Sequence, residues 1–365
     1  MTDRLTNEYQ PDIVTPPGET LQEIIETLGM TKAELADRIG KTPKTIGEII
    51  KHGAPITPST AMELEKVLSV PSSFWNNRER RYRESLARQE ERKRLEKRAG
   101  WLKSFPVPEM IKVGWIKEHK DKAEQLKELL RYFGVASPEQ WKKIWLSPKT
   151  AYRKSRAFAS KPEASSVWLR KGELQAQQIK TRSFNKEAFR SLLQDIRTLT
   201  QTAPERFPKE VVSLCAEVGV AAVFTPPIKG APVYGATRWL TPEKALIQLS
   251  LRGKFEDLLW FTFFHEAGHI LLHGKKEIFI EENDNHDVRE QKADRFARDL
   301  LIPPAAYRQF IKSGRYRDPA AVKAFAAQLG ISPAIIVGRL QHEELLPFSR
   351  MNNLRRRFDF VGTNN

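Results

Sequence analysis

The sequence predicts a mainly helical chain with a small β-sheet, an α+β class, and three observations predict it. Four short amphipathic segments, each opened by Thr or Gly, follow one another near the N-terminus. A nearly all-apolar run, FEDLLWFTFFHEAGHILLHG (255–274), has the length of a buried helix. Between residues 221 and 251, runs rich in Val, Ile and aromatic residues, broken by Pro and Gly, read as strands.

In chain order, residues 1–18 are polar and interrupted by Pro11, Pro16 and Pro17, and are expected to form a loose arm. GETLQEIIETLG, MTKAELADRIG, TPKTIGEIIKHG and TPSTAMELEKVLS then form a compact bundle with Leu35, Ala36, Ile39, Ile46, Ile49 and Leu68 in its core. The second and third segments have the layout of a helix-turn-helix, with Gly40 at the turn and Thr42 capping the second helix. In that geometry the start of the second helix enters the major groove of double-stranded DNA. Pro43, Lys44, Thr45 and Glu48 would then reach base edges, while Lys32 and Thr42 touch phosphates. An all-helical interaction module is the alternative for helix pairs of this size. The stretch from Gly18 to Trp75, ending VPSSFW, resembles the HigA-type antitoxin branch of the Xre-like repressors, with Lys41 departing from the apolar residue usual at its place. A regulator built this way is expected to occupy its operator as a homodimer.

Residues 76–103 are dense in Arg and Lys with interspersed Glu, the spacing of a long solvated helix that can also touch phosphates. Gly100, Pro106 and Pro108 break that pattern. AEQLKELLRYF, PEQWKKIW and KEAFRSLLQDIRTL are further helices, and Trp141, Trp145 and Trp168 read as packing anchors rather than base-stacking platforms. SPKTAYRKSRAFASKPEASS reads as an exposed connection. The expected divisions are a helix-turn-helix domain (1–75), a basic helical connector (76–205) and a C-terminal domain (206–365).

In the last of these, PKEVVSLCAEVGV reads as a helix, AAVFTPP as a strand, and VYGATRWL with KALIQLSL as a hairpin. Residues 244–250 are expected to form an open sheet edge able to pair with an extended peptide. In the apolar run that follows, His265, Glu266 and His269 are spaced HExxH. Positions four apart share one helical face, so both imidazoles can converge on one ion with Glu266 beside it. Zn2+ suits this donor set; it would lower the pKa of a coordinated water and polarise a substrate carbonyl, with Glu266 as the base that removes a proton and delivers it to the leaving amine. EQKADRFARDLLIPP supplies Glu290 as the third ligand. Asp294, one turn later, can accept a bond from a ligand imidazole and hold its tautomer.

His273, another turn along the HExxH helix, lies about 12 Å of rise from His265, too far to share one ion, and takes a supporting role. Tyr234, Arg252 and His273 are candidates for oxyanion stabilisation. His286, among Glu281, Glu282, Asp284 and Asp287, reads as part of a solvated acidic loop. AAVKAFAAQLG and SPAIIVGRLQHEELL are packing helices, and NNLRRRFDF is a basic tail.

HEAGHILLHG followed by ExxADxFAxxLLIP, with the closing ISPAIIVGRLQHEELL, resembles the ImmA/IrrE metallopeptidases. The resemblance covers roughly the last 170 residues. It implies a zincin-like domain with His265, His269 and Glu290 as zinc ligands and Glu266 as general base, in a family that acts on or beside transcriptional repressors. Composition fits a nucleic-acid partner: 61 Lys and Arg against 45 Asp and Glu give a net charge of +16. The single Cys215 excludes an intramolecular disulfide, and no signal peptide or membrane-spanning run is apparent, so a cytoplasmic protein is expected. Two functions are open. One is a DNA-bound regulator whose peptidase cleaves a repressor, a toxin partner or the chain itself; the other is a non-enzymatic antitoxin whose C-terminal domain senses a signal or binds a toxin. Glu266 favours the enzyme, because a structural zinc site needs no base.

Overall fold

The structure, a computed structural model, describes residues 15–146, 161–250, 252, 254–273, 279–280 and 288–358. It divides into two compact units, residues 1–99 and 100–365.

The first unit is five helices: α1 (Pro17–Thr27), α2 (Lys32–Ile39), α3 (Pro43–His52), α4 (Pro58–Leu68) and α5 (Ser72–Arg98). Threonine hydroxyls start three of them, Thr31, Thr42 and Thr57 accepting from the backbone N–H of Glu34, Thr45 and Thr60. Gly40 and Gly53 end α2 and α3 in the left-handed conformation that glycine adopts without a Cβ penalty. All six residues expected in the core are buried, alongside Leu21, Leu64 and Trp75. The expected loose arm ends sooner than its composition suggests, because α1 begins at Pro17 and Gly18 is already buried; residues 1–14 lie outside the described residues.

Helix α5 runs 27 residues. Its first turns are tied to the bundle, Glu79 accepting from the Ile56 N–H at 3.1 Å and Arg83 donating to the Gly53 carbonyl at 2.6 Å. Farther along it is supported by ion pairs one turn apart, such as Arg92–Glu96 at 3.1 Å, as a solvated helix requires.

The second unit opens with α6 (Val107–Lys112), α7 (Lys122–Phe133), α8 (Pro138–Trp145), α9 (Pro162–Gln178), α10 (Lys186–Thr198) and α11 (Phe207–Ala216). Trp141, Trp145 and Trp168 are all buried in a cluster with Phe105 and Phe133, so their apolar area goes into packing. The expected exposed connection is only partly described. Residues 147–160 lie outside the described residues, and α9 starts at Pro162 and buries Ala164, Ser165 and Ser166, so the last five residues are core helix instead.

Strands β1 (Val220–Phe224), β2 (Gly235–Thr241), β3 (Lys244–Leu249) and β4 (Phe279–Ile280) form one sheet in the order β1-β3-β2-β4. β2 and β3 are the expected hairpin. The expected open edge at 244–250 is not one. β3 is interior, parallel to β1 on one side and antiparallel to β2 on the other. The reason is that the hairpin occupies only one side of β3. The wholly apolar β1, VAAVF, lacks a solvent-tolerant face and takes the other side.

Helix α12 (Glu256–Leu272) packs on this sheet and is buried along nearly its whole length. It is followed by α13 (Val288–Leu301), α14 (Pro304–Lys312), α15 (Pro319–Leu329) and α16 (Pro333–His342). Val322, Ala326, Ile336 and Leu340 complete the core around Trp260 and Phe263. No single described helix is long and apolar enough to cross a membrane.

The chain's end departs from the expected basic tail. Arg355 forks onto Asp257 with contacts of 3.0 and 2.8 Å, and Arg356 reaches Glu256 at 2.6 Å. Asp257 and Glu256 are buried acids in the first turn of α12, where the helix dipole favours negative charge, so two of the tail's arginines neutralise an interior site.

Candidate metal centre

The HExxH helix is apolar on every side, and its two imidazoles and Glu266 are almost fully withdrawn from water. Small residues bring α13 against it. A Cβ added at Gly268 would stand 3.1 Å from Phe296 and 3.3 Å from the Cα of Ala293, tighter than ordinary van der Waals contact, so glycine lets the helices approach as they do without a neighbour giving way. That approach carries Glu290, one turn before Ala293, to the imidazoles. Nε2 of His265 is 2.9 Å from Nε2 of His269 and 3.0 Å from Oε2 of Glu290, which is 3.4 Å from Nε2 of His269. Two nitrogens and one carboxylate oxygen thus point at one spot, a set that could hold a metal ion.

Asp294 Oδ1 lies 2.9 Å from the other ring nitrogen of His265, Nδ1. A proton on Nδ1 shared with that carboxylate leaves the lone pair on Nε2, facing Glu290 and His269. Burial lowers the His269 imidazole to about 4, which keeps it in the neutral, coordinating form at pH 7. Burial pushes the Glu290 carboxyl up, but the bonds and charges of the two imidazoles outweigh it and bring it to about 2.

His273 does not continue the helix. α12 ends at Leu272, His273 is extended, and its Nε2 lies 3.3 Å from the Arg289 carbonyl, linking the end of α12 to the start of α13. Arg252 donates to the Ala231 carbonyl at 3.1 Å and its guanidinium lies over the Tyr234 ring. His286 lies outside the described residues.

Two residues beside Glu266 escaped the motif reading. The Thr237 hydroxyl on β2 donates to the Glu266 carbonyl at 3.2 Å. A Cβ at Gly235 would stand 2.4 Å from Thr262 Cγ2 and 2.7 Å from Glu266 Oε1. The signal for Gly235 was present, since a lone glycine in a strand marks close approach of another group.

In the first unit, Gly40 and the Thr42 cap join α2 and α3 as the helix-turn-helix layout requires. Thr42, Pro43, Lys44 and Glu48 are exposed, while Lys32 and Thr45 are half-buried. Lys44 and Glu48 lie 4.0 Å apart on one face of α3, and the Thr45 hydroxyl is 2.9 Å from that of Thr42. Lys41 pairs with Glu63 at 3.0 Å, a polar substitute for apolar packing that ties the turn to α4.

Family models match one segment in each unit. Residues 21–75 match the helix-turn-helix model and residues 235–341 match the IrrE N-terminal-like domain of the M78 peptidases. Among solved structures, the chain is similar to an antidote protein of a plasmid maintenance system from Nostoc punctiforme PCC 73102, with 28% identity over 23% of this chain and 91% of that one and a TM-score of 0.22. It is also similar to an addiction module antidote protein of the HigA family from Coxiella burnetii, with 27% identity over 23% of this chain and 92% of that one and a TM-score of 0.21. No curated protein matches. One polypeptide thus joins a helix-turn-helix domain to an IrrE N-terminal-like domain of the M78 peptidase class.

Proposed function

We propose that this chain is a DNA-binding transcriptional regulator, antitoxin-like, that carries a zinc-dependent endopeptidase domain acting on a regulatory protein such as a repressor or a toxin. The observation that carries the reading is the triangle of His265, His269 and Glu290, with edges of 2.9, 3.0 and 3.4 Å, and the Glu266 carboxylate on the same helix. Three corners of a tetrahedral shell with bonds of about 2.0–2.1 Å lie about 3.4 Å apart, so the donors fit Zn2+ after small outward movements and leave one position open. Bound there, zinc supplies Lewis-acid polarisation of a peptide carbonyl and acidifies water.

The chain's own residues do the rest. Glu266 accepts the proton of the attacking water and passes it to the leaving amine. Its carboxylate lies close against Gly235, and its backbone carbonyl is held by Thr237, which limits where the base can point. Asp294 fixes the His265 tautomer, and Gly268 sets the distance of α13. In the first unit the start of α3 offers the exposed Pro43, Lys44 and Glu48 and the half-buried Thr45 to base edges, while Lys32 and Thr42 serve phosphates.

The test is to incubate the zinc-loaded full chain with the proteins encoded beside it and weigh the products. Wild-type protein is expected to cut one of them at a defined bond, and Glu266→Gln to keep its zinc and lose the cut. Cleavage that survives Glu266→Gln removes the base assignment. A zinc-loaded wild type that cuts none removes the peptidase and leaves a non-enzymatic regulator.

A further inference from the structure

The recognition helix accounts for only part of the basic surface in the first unit. From Arg78 to Arg98, α5 carries ten Lys and Arg, eight of them Arg, against five Glu. Three of those glutamates are engaged by arginines of the same helix, in the pairs Arg83–Glu79, Arg80–Glu84 and Arg92–Glu96. A helix that merely needs to stay soluble is served by balanced pairs one turn apart. Here cations outnumber acids two to one, and from Ala87 to Arg98 every residue except Leu95 is exposed. Arg81 and Arg88, seven residues apart, share one exposed face.

Position matters as much as charge. Glu79 and Arg83 bond to Ile56 and Gly53, in the segment that directly follows α3. The base of α5 is therefore fixed in the frame of the recognition helix rather than hanging from a flexible tail. Its 27 residues extend about 40 Å, comparable to one turn of B-form DNA at about 34–36 Å. Guanidinium groups also offer paired donors that suit phosphate oxygens.

We propose that α5 is a second DNA-binding element, contacting the phosphate backbone of double-stranded DNA without reading sequence. The inference rests on the DNA-binding reading of the first unit and adds a surface beyond the helix-turn-helix. Arginines fixed beforehand on a rigid helix release counterions on docking, which raises affinity for every duplex alike.

The experiment uses the full chain and a duplex selected by the wild-type protein from a randomised pool, beside an unrelated duplex of equal length. Affinity is measured across a salt series for wild type, for Lys44→Ala, and for the triple variant Arg81→Gln, Arg88→Gln, Arg94→Gln. Glutamine keeps the helix, which circular dichroism checks. The triple variant is expected to lower the slope of log K against log salt by about 0.9 per lost contact, two to three in all, and to weaken both duplexes by the same factor. Lys44→Ala is expected to weaken the selected duplex alone. A triple variant with the wild-type slope overturns the role of α5 and leaves the DNA reading standing. A wild type that enriches no duplex and binds neither overturns the DNA reading itself.

Discussion

Gly235 on β2 lies so close to Glu266 on α12 that a methyl group at its Cα would stand 2.7 Å from Oε1 of the carboxylate. The strand backbone thereby forms one wall of the space in which the proposed base sits. Its φ is not in the left-handed region, so glycine serves here for room and not for backbone conformation. Gly235→Ala is expected to overpack this contact at a cost of about 1–3 kcal/mol. The thermal midpoint should fall by several degrees, and relief of the loss by adding Thr262→Ser would locate half of the clash on Thr262 Cγ2. A melting curve equal to wild type would mean the strand moves aside without cost.

Metal affinity should follow the carboxylates of α13. Glu290→Ala removes one corner of the triangle, and metal content of purified protein should fall below that of wild type. Asp294→Asn keeps the corner but withdraws the charge beside His265 Nδ1, and should weaken zinc by about 10–100-fold in a chelator competition. Unchanged stoichiometry in Glu290→Ala would place the third donor elsewhere.

Acid should destabilise the metal-free protein in a defined window. His269 titrates at about 4 in the fold, owing first to burial, against 6.5 when exposed. Between those values the unfolded chain binds the proton and the folded one does not, so this contribution is complete above pH 6.5 and lost as pH falls to 4. Glu290, lowered to about 2 from 4.5, adds a further loss below pH 4.5. Urea midpoints of the stripped protein should decline from pH 7 to pH 4, and a flat profile across that range would contradict the neutral buried imidazole.

The docked C-terminal arginines give a stability prediction far from the centre. Arg355 and Asp257 are both mostly buried, and Arg355→Met leaves the acid without its forked partner. A loss of about 3 kcal/mol is expected, read by denaturant unfolding. Replacing Arg357, whose guanidinium lies over the Phe255 ring, should cost less, because a cation–π contact near the surface contributes only about 0.5–1 kcal/mol.

Much of this molecule was legible in its residues. Capping threonines, turn glycines and apolar spacing mark α1 to α4, because these signals act within a few residues along the chain. HExxH is equally local: residues four apart on a helix must share a face. Even Glu290 and Asp294 could be chosen ahead of the structure, since a second helix with acids one turn apart was at hand. What spacing cannot encode is which distant segments meet. That β3 is interior and no open edge depends on where α11 and β1 fold back. The arginines of NNLRRRFDF find their buried partners about a hundred residues earlier, beyond the reach of any local pattern. A lone glycine in β2 marks a close approach at Gly235, but which strand or helix Gly235 and Gly268 admit depends on the packed fold. The sequence by itself determined the local chemistry, through rules of the single helix and turn. Only the tertiary structure decided the company each group keeps, because burial and close approach are properties of packed surfaces drawn from remote parts of the chain.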